Sequence, residues 1–284
     1  MNTVAATVLI TGVSGTLGTA LLERMNAEWT IRGYSRDEHK QSVLAPQYPA
    51  VRFLVGDVRD RLRLRRALDG CDLVVHAAAL KQVAACERNP WEAVETNLNG
   101  TRNVIEGCLD VGVPKAVFVS SDKAVHPVNV YGATKMAAER CWLASNAYGG
   151  DHSAFSVVRY GNVRGSRGSV LAQAGPVQLT DKRATRFWMD AAEAVDLILL
   201  ALREMRGGEV FVPKLSSSLV ADVVEHDGSE SGLRAGEKLH EQLISDEEVA
   251  RTFDCGDHYR ISDARPRFRM ARHVPADFQY TSAQ

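Results

Sequence analysis

The sequence lacks the features that define several broad classes of protein. Its five cysteines show no Cys-x-x-Cys spacing and are odd in number, which argues against a disulfide framework and a structural zinc site. The longest apolar run, at 194–202, contains Asp196 and is too short to span a bilayer. No basic segment with a small-residue cleavage site precedes the first apolar segment. We therefore expect a soluble, cytoplasmic protein that holds no metal and whose thiols are reduced and mostly buried.

An excess of either charge is also missing. The chain has 34 lysines and arginines against 35 aspartates and glutamates, which gives a formal net charge of -1. Without a global field, neither nucleic acid nor an anionic membrane is an expected partner. With 284 residues, 45% of them hydrophobic, the chain can form one large α/β domain or two small ones. Any anionic ligand must therefore be bound by local groups.

Short apolar segments rich in β-branched residues alternate with amphipathic stretches in the first half of the chain. The segments that predict strands are 7–10, 29–34, 51–55, 72–78, 115–120 and 155–163. Apolar residues at helical spacing predict helices between them, including one over 91–111 and, later, one over 191–205. This alternation predicts an α/β fold with a doubly wound parallel sheet of the Rossmann type. We expect a nucleotide-binding domain at 1–165 that carries the catalytic residues, and a smaller, interleaved substrate-binding region at 166–284.

The first predicted strand runs directly into a glycine turn with the spacing G-x-x-G-x-x-G. Glycine at such a turn lets the backbone approach a pyrophosphate, while the amides that begin the next helix face the anion. A glycine-rich turn without a ligand is the alternative. The residues of this turn that we expect to bind a dinucleotide are Gly12, Ser14, Gly15, Thr16, Leu17 and Gly18.

The end of the second predicted strand indicates which dinucleotide is bound. Ser35 and Arg36 precede Asp37, whereas an acidic residue directly at the strand end would bind a ribose 2′-hydroxyl. Serine and arginine suit a 2′-phosphate, so NADP is the expected cofactor, and Asp37 leaves NAD open. Four residues after the third and fourth strands leave room for the same cofactor, although tight packing at strand ends would also explain them: Asp57, Val58, Ala77 and Ala78.

The fifth predicted strand is followed by the residues that point to catalysis. Tyr131 and Lys135 are four residues apart on a predicted helix, so both side chains share one face. An ammonium beside a phenol lowers the pKa of the phenol, which would let Tyr131 take a proton from a hydroxyl. Asp122 and Lys123 lie at the carboxyl edge of the sheet, where ligands of open α/β sheets bind. A solvated helix pair and a surface ion pair are the simpler alternatives for these two pairs.

Taken together, these motifs resemble the extended short-chain dehydrogenase/reductase superfamily, and within it the UDP-N-acetylglucosamine 4,6-dehydratases of the 5-inverting kind. The segments that carry the resemblance occur in order along most of the chain. They are SRDE at 35–38, GDVRD at 56–60, HAAALK at 76–81, SDKA at 121–124, YGATK at 131–135, VRYGNV at 158–163, GSRGSV at 165–170, TD at 180–181, TRFW at 185–188, VPK at 212–214 and GEKLHE at 236–241.

The resemblance implies a reaction in which the cofactor is regenerated. Tyr131 would deprotonate the sugar 4-hydroxyl while hydride leaves C4 for NADP, and Lys135 would hold the cofactor ribose and keep Tyr131 acidic. Lys123 would remove the C5 proton, Asp122 would protonate the departing 6-hydroxyl, and hydride would return to C6. Retaining relatives carry an Asp-Glu pair at this place, whereas a lysine matches the inverting kind. A base must be neutral part of the time, which we expect burial and the neighbouring cation Lys81 to achieve.

The resemblance also implies contacts to a UDP-sugar and further contacts to the cofactor. Guanidinium groups suit phosphate geometry, although each arginine would also fit a solvated surface. His76, His126 and His240 show no metal-ligand spacing and are expected to be structural or second-sphere residues. The residues expected to contact the substrate are Lys81, Ser121, Asn162, Arg167, Thr180, Arg186, Arg234 and Glu237, and those added to the cofactor site are Lys81, Asn97, Tyr131 and Lys135.

The sequence departs from the family pattern in places. The interval 168–180, including the brief stretch 172–176, and the interval 213–232 are shorter than usual, so altered acyl-sugar specificity or weaker binding is expected. Ser121 replaces a more common threonine but keeps the hydroxyl. A 4-epimerase or 4-ketoreductase would use Tyr131 and Lys135 without Lys123, a non-catalytic NADP-binding protein would need none of the three, and epimerisation at C3 stays open. We also expect a homo-oligomer.

Overall fold

The structure, a computed structural model, describes residues 5–25, 28–150, 152–169, 175–263 and 271–283. Part of the shortened interval at 168–180, including 172–174, therefore lies outside the described residues. Within the described ranges, no helix is long and apolar enough to pass through a bilayer.

The first six strands begin close to the predicted segments, and further strands follow in the second half of the chain. In chain order they are β1 (Thr7–Thr11), β2 (Thr30–Ser35), β3 (Arg52–Val55), β4 (Leu73–His76), β5 (Lys115–Val119), β6 (Ala154–Val158), β7 (Asn162–Val163), β8 (Val177–Leu179), β9 (Thr185–Met189), β10 (Val210–Pro213), β11 (Ser216–Leu219), β12 (His226–Glu230), β13 (Gln242–Ile244), β14 (Thr252–Asp254), β15 (His258–Ile261), β16 (Arg272–His273) and β17 (Tyr280–Thr281).

The helices separate the strands of the first half and return once in the second. They are α1 (Thr16–Met25), α2 (Glu38–Leu44), α3 (Arg61–Leu68), α4 (Val83–Arg88), α5 (Pro90–Ala93), α6 (Gly100–Val111), α7 (Val130–Ala144), α8 (Asn146–Gly149) and α9 (Ala191–Glu204). Shorter helical segments are a π-helix at Val94–Asn99 and 3-10 helices at Asp122–Ala124 and Asp246–Arg251.

The main sheet confirms the predicted doubly wound architecture. Its order is β16-β14-β15-β10-β6-β5-β4-β1-β2-β3, and the strands from β10 to β3 run parallel, with β15 antiparallel to β10. The strand order reverses direction between β1 and β4, which is where open α/β sheets place their ligand site. Because β10 joins this sheet, the second half of the chain extends the first rather than packing as a separate body.

Alternation along the central strands fills a core on each face of the sheet. Leu9 on β1 points to the side where α3, α6 and α7 pack, and it joins a cluster that contains Trp142. Its neighbours Val8 and Ile10 point to the other side and join a cluster that contains Ile198 of α9. Successive residues of a strand face opposite sides, so two helical layers can enclose one sheet.

Two predicted elements are interrupted. The strand predicted over 155–163 ends at Val158, and Arg159, which follows it, forms buried ion pairs with Glu139 and Glu248. The helix predicted over 91–111 contains a π-helical turn, which commonly marks a functional position. Within that turn, the Asn97 side chain bonds both backbone groups of Leu80, which fixes the segment that follows β4.

Candidate active site

A cleft of about 1060 Å³ lies at the carboxyl edge of the parallel strands. Its walls come from the glycine turn after β1, from the ends of the neighbouring strands and from the segment 234–241. Nearly all residues singled out from the sequence line it, except Asp122, which is buried below its surface, and Asn97, which is buried against Leu80 and Thr134. The sheet topology therefore brings together residues that are far apart in the chain.

The glycine turn is packed so closely that a side chain at Gly12 or Gly18 would meet neighbouring backbone atoms. Gly12 has a φ of 73°, in the left-handed region, and a Cβ there would lie 3.0 Å from the backbone of Ala78. At Gly18 a Cβ would lie 2.4 Å from the carbonyl oxygen of Val13, so the start of α1 packs directly on the turn. Because α1 begins at Thr16, its free amides are positioned at the cleft, as a diphosphate requires.

The end of β2 presents Ser35 and Arg36 to the cleft, together with Lys40. Asp37 caps α2: its carboxylate accepts a hydrogen bond from the Lys40 amide at 2.9 Å and pairs with the Lys40 ammonium. Arg36 is half-exposed and lies 3.6 Å from Asp57, so its guanidinium lies at the cleft mouth. Arg36 is thus placed at the cleft, while the Asp37 carboxylate is engaged by its own helix.

Tyr131 and Lys135 lie in the first turns of α7 and are both buried. Asn129 caps this helix by accepting a hydrogen bond from the Gly132 amide at 2.7 Å. Lys135 Nζ donates to the Val119 carbonyl at 2.5 Å and lies 3.8 Å from the centre of the Phe118 ring. Burial lowers the pKa of Lys135 to about 7. Tyr131 and Lys135 therefore lie on one helix as predicted, and the Lys135 side chain points toward β5.

The cation that acts on Tyr131 differs from the expected one. Burial raises the pKa of Tyr131 to about 12, and Lys123 and a hydrogen bond with Ser121 oppose that rise. Lys135 was expected to keep the phenol acidic, but in this structure the cation that opposes the rise in the Tyr131 pKa is Lys123, while Lys135 Nζ donates to the Val119 carbonyl. Proton transfer at Tyr131 is thus tied to the charge of Lys123.

Ser121, Asp122 and Lys123 follow β5 directly. Asp122 is fully buried, and its Oδ1 accepts hydrogen bonds from Ser121 Oγ at 2.9 Å and from Lys123 Nζ at 3.0 Å. Its Oδ2 is buried without a hydrogen-bond partner among the described residues. Lys123 Nζ also donates to Asn162 Oδ1 at 3.2 Å and lies 3.5 Å from Glu241 Oε1. The ammonium therefore has three acceptors around it.

This environment keeps Lys123 charged. Burial would lower the pKa of Lys123, but the carboxylates of Asp122 and Glu241 outweigh it and raise the pKa above its ordinary value. The expectation that burial and Lys81 make Lys123 partly neutral is therefore wrong for this structure. Burial raises the pKa of Asp122, and Lys123 opposes the rise. Because the two groups share a hydrogen bond, they titrate as a pair rather than singly.

Residues expected to contact the substrate form a hydrogen-bonded wall of the cleft. Arg186 Nη2 donates to Glu237 Oε1 at 3.2 Å, and Thr180 Oγ1 donates to the same oxygen at 2.9 Å. Arg234 is exposed, and its amide donates to Glu237 Oε2 at 3.3 Å. The wall therefore offers two guanidinium groups, of which only that of Arg186 is buried.

Arg167 lines the cleft and contacts the glycine turn. Its guanidinium donates to the Ser14 carbonyl of the glycine turn, and its amide lies 3.2 Å from Thr16 Oγ1. Gln82 donates to the Arg167 carbonyl at 3.3 Å. The structure thus places Arg167 against the expected cofactor turn, while its predicted contact is the substrate diphosphate.

Several cleft residues were not assigned a role from the sequence. They are Lys40, Gln82, Tyr160 and Glu241, all of which line the cleft. Glu241 belongs to the quoted segment 236–241, but no spacing signal relates it to Lys123 because the two are far apart in the chain. Of the histidines, His76 is buried between the hydroxyls of Thr11 and Thr101, and burial lowers its pKa to about 3.

Comparison with known proteins shows the family of the chain. The family described as polysaccharide biosynthesis protein matches residues 8–263. The chain belongs to this family. One relative of this chain is the UDP-N-acetylglucosamine 4,6-dehydratase (inverting) of Campylobacter jejuni. It is 41% identical over 275 residues, which span 90% of this chain and 82% of the relative. The predicted resemblance is thereby confirmed.

Other relatives are named for a different activity or for none. The UDP-glucose 4-epimerase of Rickettsia canadensis is 39% identical over 280 residues, with 90% of this chain and 82% of the relative covered. The X-ray structure of Pen from Bacillus thuringiensis is 34% identical, with 98% of this chain and 93% of that chain covered and a TM-score of 0.91. The fold is that of the extended short-chain dehydrogenase/reductases, so the predicted fold class is also confirmed.

Proposed function

We propose that this family member catalyses the NADP-dependent 4,6-dehydration of UDP-N-acetylglucosamine with inversion at C5, which gives a 4-keto-6-deoxy sugar nucleotide. The observation that carries the proposal is the position of Lys123 Nζ, 3.0 Å from Asp122 Oδ1 and beside the cleft that Tyr131 and Lys135 also line. The similarity to a relative named as an inverting UDP-N-acetylglucosamine 4,6-dehydratase, that of Campylobacter jejuni, also supports this proposal.

The residues of the turn fit a nicotinamide dinucleotide. A Cβ at Gly12 or Gly18 would meet neighbouring backbone, so glycine lets the turn close tightly against the start of α1, and the first amides of α1 would be the donors to a pyrophosphate. Ser35 and Arg36 would hold a 2′-phosphate, and the engagement of Asp37 as a helix cap favours NADP over NAD. A bound nicotinamide would supply the hydride chemistry, as a site for the hydride that leaves C4 of the sugar and as the source of the hydride that goes to C6.

Tyr131 and Lys135 would prepare the sugar for elimination. Tyr131 takes the proton of the 4-hydroxyl, and the ammonium of Lys123 and the hydroxyl of Ser121 stabilise the phenolate that this requires. Lys135, released from the Val119 carbonyl, would hold the cofactor ribose. The resulting 4-ketone makes the hydrogen at C5 acidic.

Asp122 and Lys123 would then remove water across C5 and C6. Transfer of one proton through their 3.0 Å hydrogen bond converts the ion pair into a neutral amine and a carboxylic acid, which are the base and the acid that the elimination needs. Lys123 takes the C5 proton while Asp122 gives its proton to the departing 6-hydroxyl, which leaves as water. The pair ends as ammonium and carboxylate, so proton transfer through the same bond restores it.

Most of the proposed substrate contacts come from the region 166–284, and the remainder come from the region 1–165. Arg186 and Arg234 suit the diphosphate of the UDP group, and Asn162, Thr180 and Glu237 offer hydrogen bonds to the sugar or the uridine. A 4-epimerase, the activity for which the Rickettsia canadensis relative is named, would use the same cleft but would not need Lys123 as a base.

A proton NMR time course in deuterated water tests the proposal. Purified protein with UDP-N-acetylglucosamine should give the 4-keto-6-deoxy product, with deuterium at C5, the inverted configuration there, and no net accumulation of NADPH. A UDP-N-acetylgalactosamine product would instead show an epimerase.

The variant Lys123→Ala tests the base. It should keep its fold and its bound nucleotide but lose dehydration by at least ~100-fold, because a positioned base contributes that much. The control is Lys182→Ala, which removes an exposed lysine paired with Glu230 outside the cleft and should retain the wild-type rate. Normal turnover by Lys123→Ala would refute the assignment.

A further inference from the structure

Glu241 is a buried carboxylate in the cleft whose position is fixed from two sides. Its amide donates to Ser282 Oγ at 2.8 Å, and its carbonyl accepts from the Ser282 amide at 2.8 Å. Only 3% of the residue is exposed. Its Oε1 lies 3.5 Å from Lys123 Nζ, and its Oε2 lies 3.3 Å from Lys238 Nζ. Four charged groups, Asp122, Lys123, Glu241 and Lys238, therefore alternate in sign along one line of contacts.

We propose that Glu241, held ionised by Lys238, is a positioning residue that orients Lys123 and directs the proton shared by Asp122 and Lys123 toward the carboxyl of Asp122. The role in dehydration rests on the proposed function. The effect of Glu241 on the charge of Lys123 does not, and it can be measured separately.

The contacts of Lys238 explain why Glu241 does not take up the proton itself. Lys238 is largely buried and donates to the Val125 carbonyl at 2.6 Å, which holds its ammonium against Glu241. Burial would raise the pKa of Glu241, but Lys123 and Lys238 lower it below its ordinary value. Among the described residues, Asp122 pairs with Lys123, whereas Glu241 lies beside both Lys123 and Lys238. A proton leaving Lys123 is therefore favoured on Asp122.

The other charged groups around Lys123 do not supply the same effect. Arg186 lowers the pKa of Lys123, and the interaction between Lys81 and Lys123 is repulsive. Tyr131 faces Lys123 as a neutral phenol with a raised pKa. Glu241 and Asp122 are thus the two carboxylates that keep the ammonium in place. Removing the charge of Glu241 should lower the pKa of both Lys123 and Asp122, because each loses a nearby negative charge.

Competitive acetylation tests this inference without using activity. Purified nucleotide-bound protein is treated with a trace of acetic anhydride between pH 6 and pH 11, and acetylation of Lys123 is measured by peptide mass spectrometry relative to Lys182 in the same sample. Only the neutral amine reacts, so a pKa lower by one unit raises the rate about tenfold. Glu241→Gln should raise the relative rate at pH 8 by about tenfold or more.

Two further variants complete the test. Lys238→Met removes the cation that holds Glu241 ionised, so Glu241 can take up a proton and the acetylation of Lys123 should become faster, which gives a result even if Glu241→Gln does not fold. Glu237→Gln removes a carboxylate of the same segment that pairs with Arg186, and it should leave the relative rate within about twofold. Equal acetylation of Lys123 in wild type and Glu241→Gln would overturn the inference.

The pH profile of dehydration links the charge effect to the reaction. Because both pKa values of the pair fall, the whole profile of Glu241→Gln should move to lower pH, and Glu241→Asp should restore it in part. An unchanged profile with normal rates would overturn the directing role. Absence of dehydration in the wild-type protein would contradict the proposed function, whereas the acetylation result would still decide the effect of Glu241 on Lys123.

Discussion

Replacing Lys135 by methionine should make the protein more stable while it abolishes the reaction. Lys135 is 3% exposed, and burial lowers its pKa to about 7, against 10.5 in an unfolded chain. Keeping this lysine in the folded state at pH 7 therefore costs ~4 kcal/mol, since one pKa unit corresponds to ~1.4 kcal/mol. Methionine has a similar length and no charge to desolvate.

Part of that gain is lost with the contacts of the ammonium. The hydrogen bond to the Val119 carbonyl and the contact with the Phe118 ring contribute about 1 kcal/mol each. The net expectation for Lys135→Met is a gain of ~2 kcal/mol at pH 7, or a rise in Tm of about 5 °C for a chain of this size. Such a trade of activity for stability is typical of functional buried charges.

Thermal unfolding of nucleotide-free protein at several pH values measures the effect. Because the folded-state pKa of Lys135 lies below the unfolded value, the stability of the wild type rises as the pH increases from about 7 to 10.5, and the advantage of the variant should vanish there. Lys115→Met is a matched control, because Lys115 also donates to a backbone carbonyl, that of Leu202 at 2.9 Å, but is only half-buried. A variant Lys135→Met that is less stable than wild type at pH 7 would refute the reasoning.

Two further predictions concern the cofactor site. Gly18→Ala places a Cβ 2.4 Å from the Val13 carbonyl oxygen, so the turn must shift, and we expect at least ~10-fold weaker NADPH binding with ~1–3 kcal/mol lower stability; unchanged fluorescence titrations with NADPH would contradict this. Arg36→Ala should weaken NADPH binding by about 10-fold and NADH binding by less than about threefold, since only NADPH carries the 2′-phosphate. Equal losses for the two nucleotides in the same titration would contradict the assignment of Arg36.

Local patterns in the sequence predicted the architecture well. The alternation of Val8, Leu9 and Ile10 between two helical layers follows from the two-residue period of a strand, so a continuous apolar run predicts a strand buried on both faces. The interruptions were not predicted. Arg159 follows the last residue of β6 and pairs with Glu139 and Glu248, and nothing near Arg159 in the sequence shows that these two carboxylates lie beside it.

The sequence indicated which residues form the candidate site, but it did not indicate which of them contact one another. Glycine spacing and the four-residue spacing of Tyr131 and Lys135 are local, and the resemblance supplied the place of Asp122 and Lys123. The charge of Lys123 depends on Glu241, which lies 3.5 Å from it. Arg167 donates to the glycine turn. Both contacts join segments that are far apart in the chain and that only folding brings together.

The sequence by itself determined the parallel sheet, the glycine turn and the identity of the groups that can move a proton, because each depends on residue type and on short-range periodicity. The tertiary structure decided which of those groups are charged. Burial and the distance to an opposite charge set a pKa, and both are properties of the packed molecule: they lower the pKa of Lys135 and raise that of Lys123.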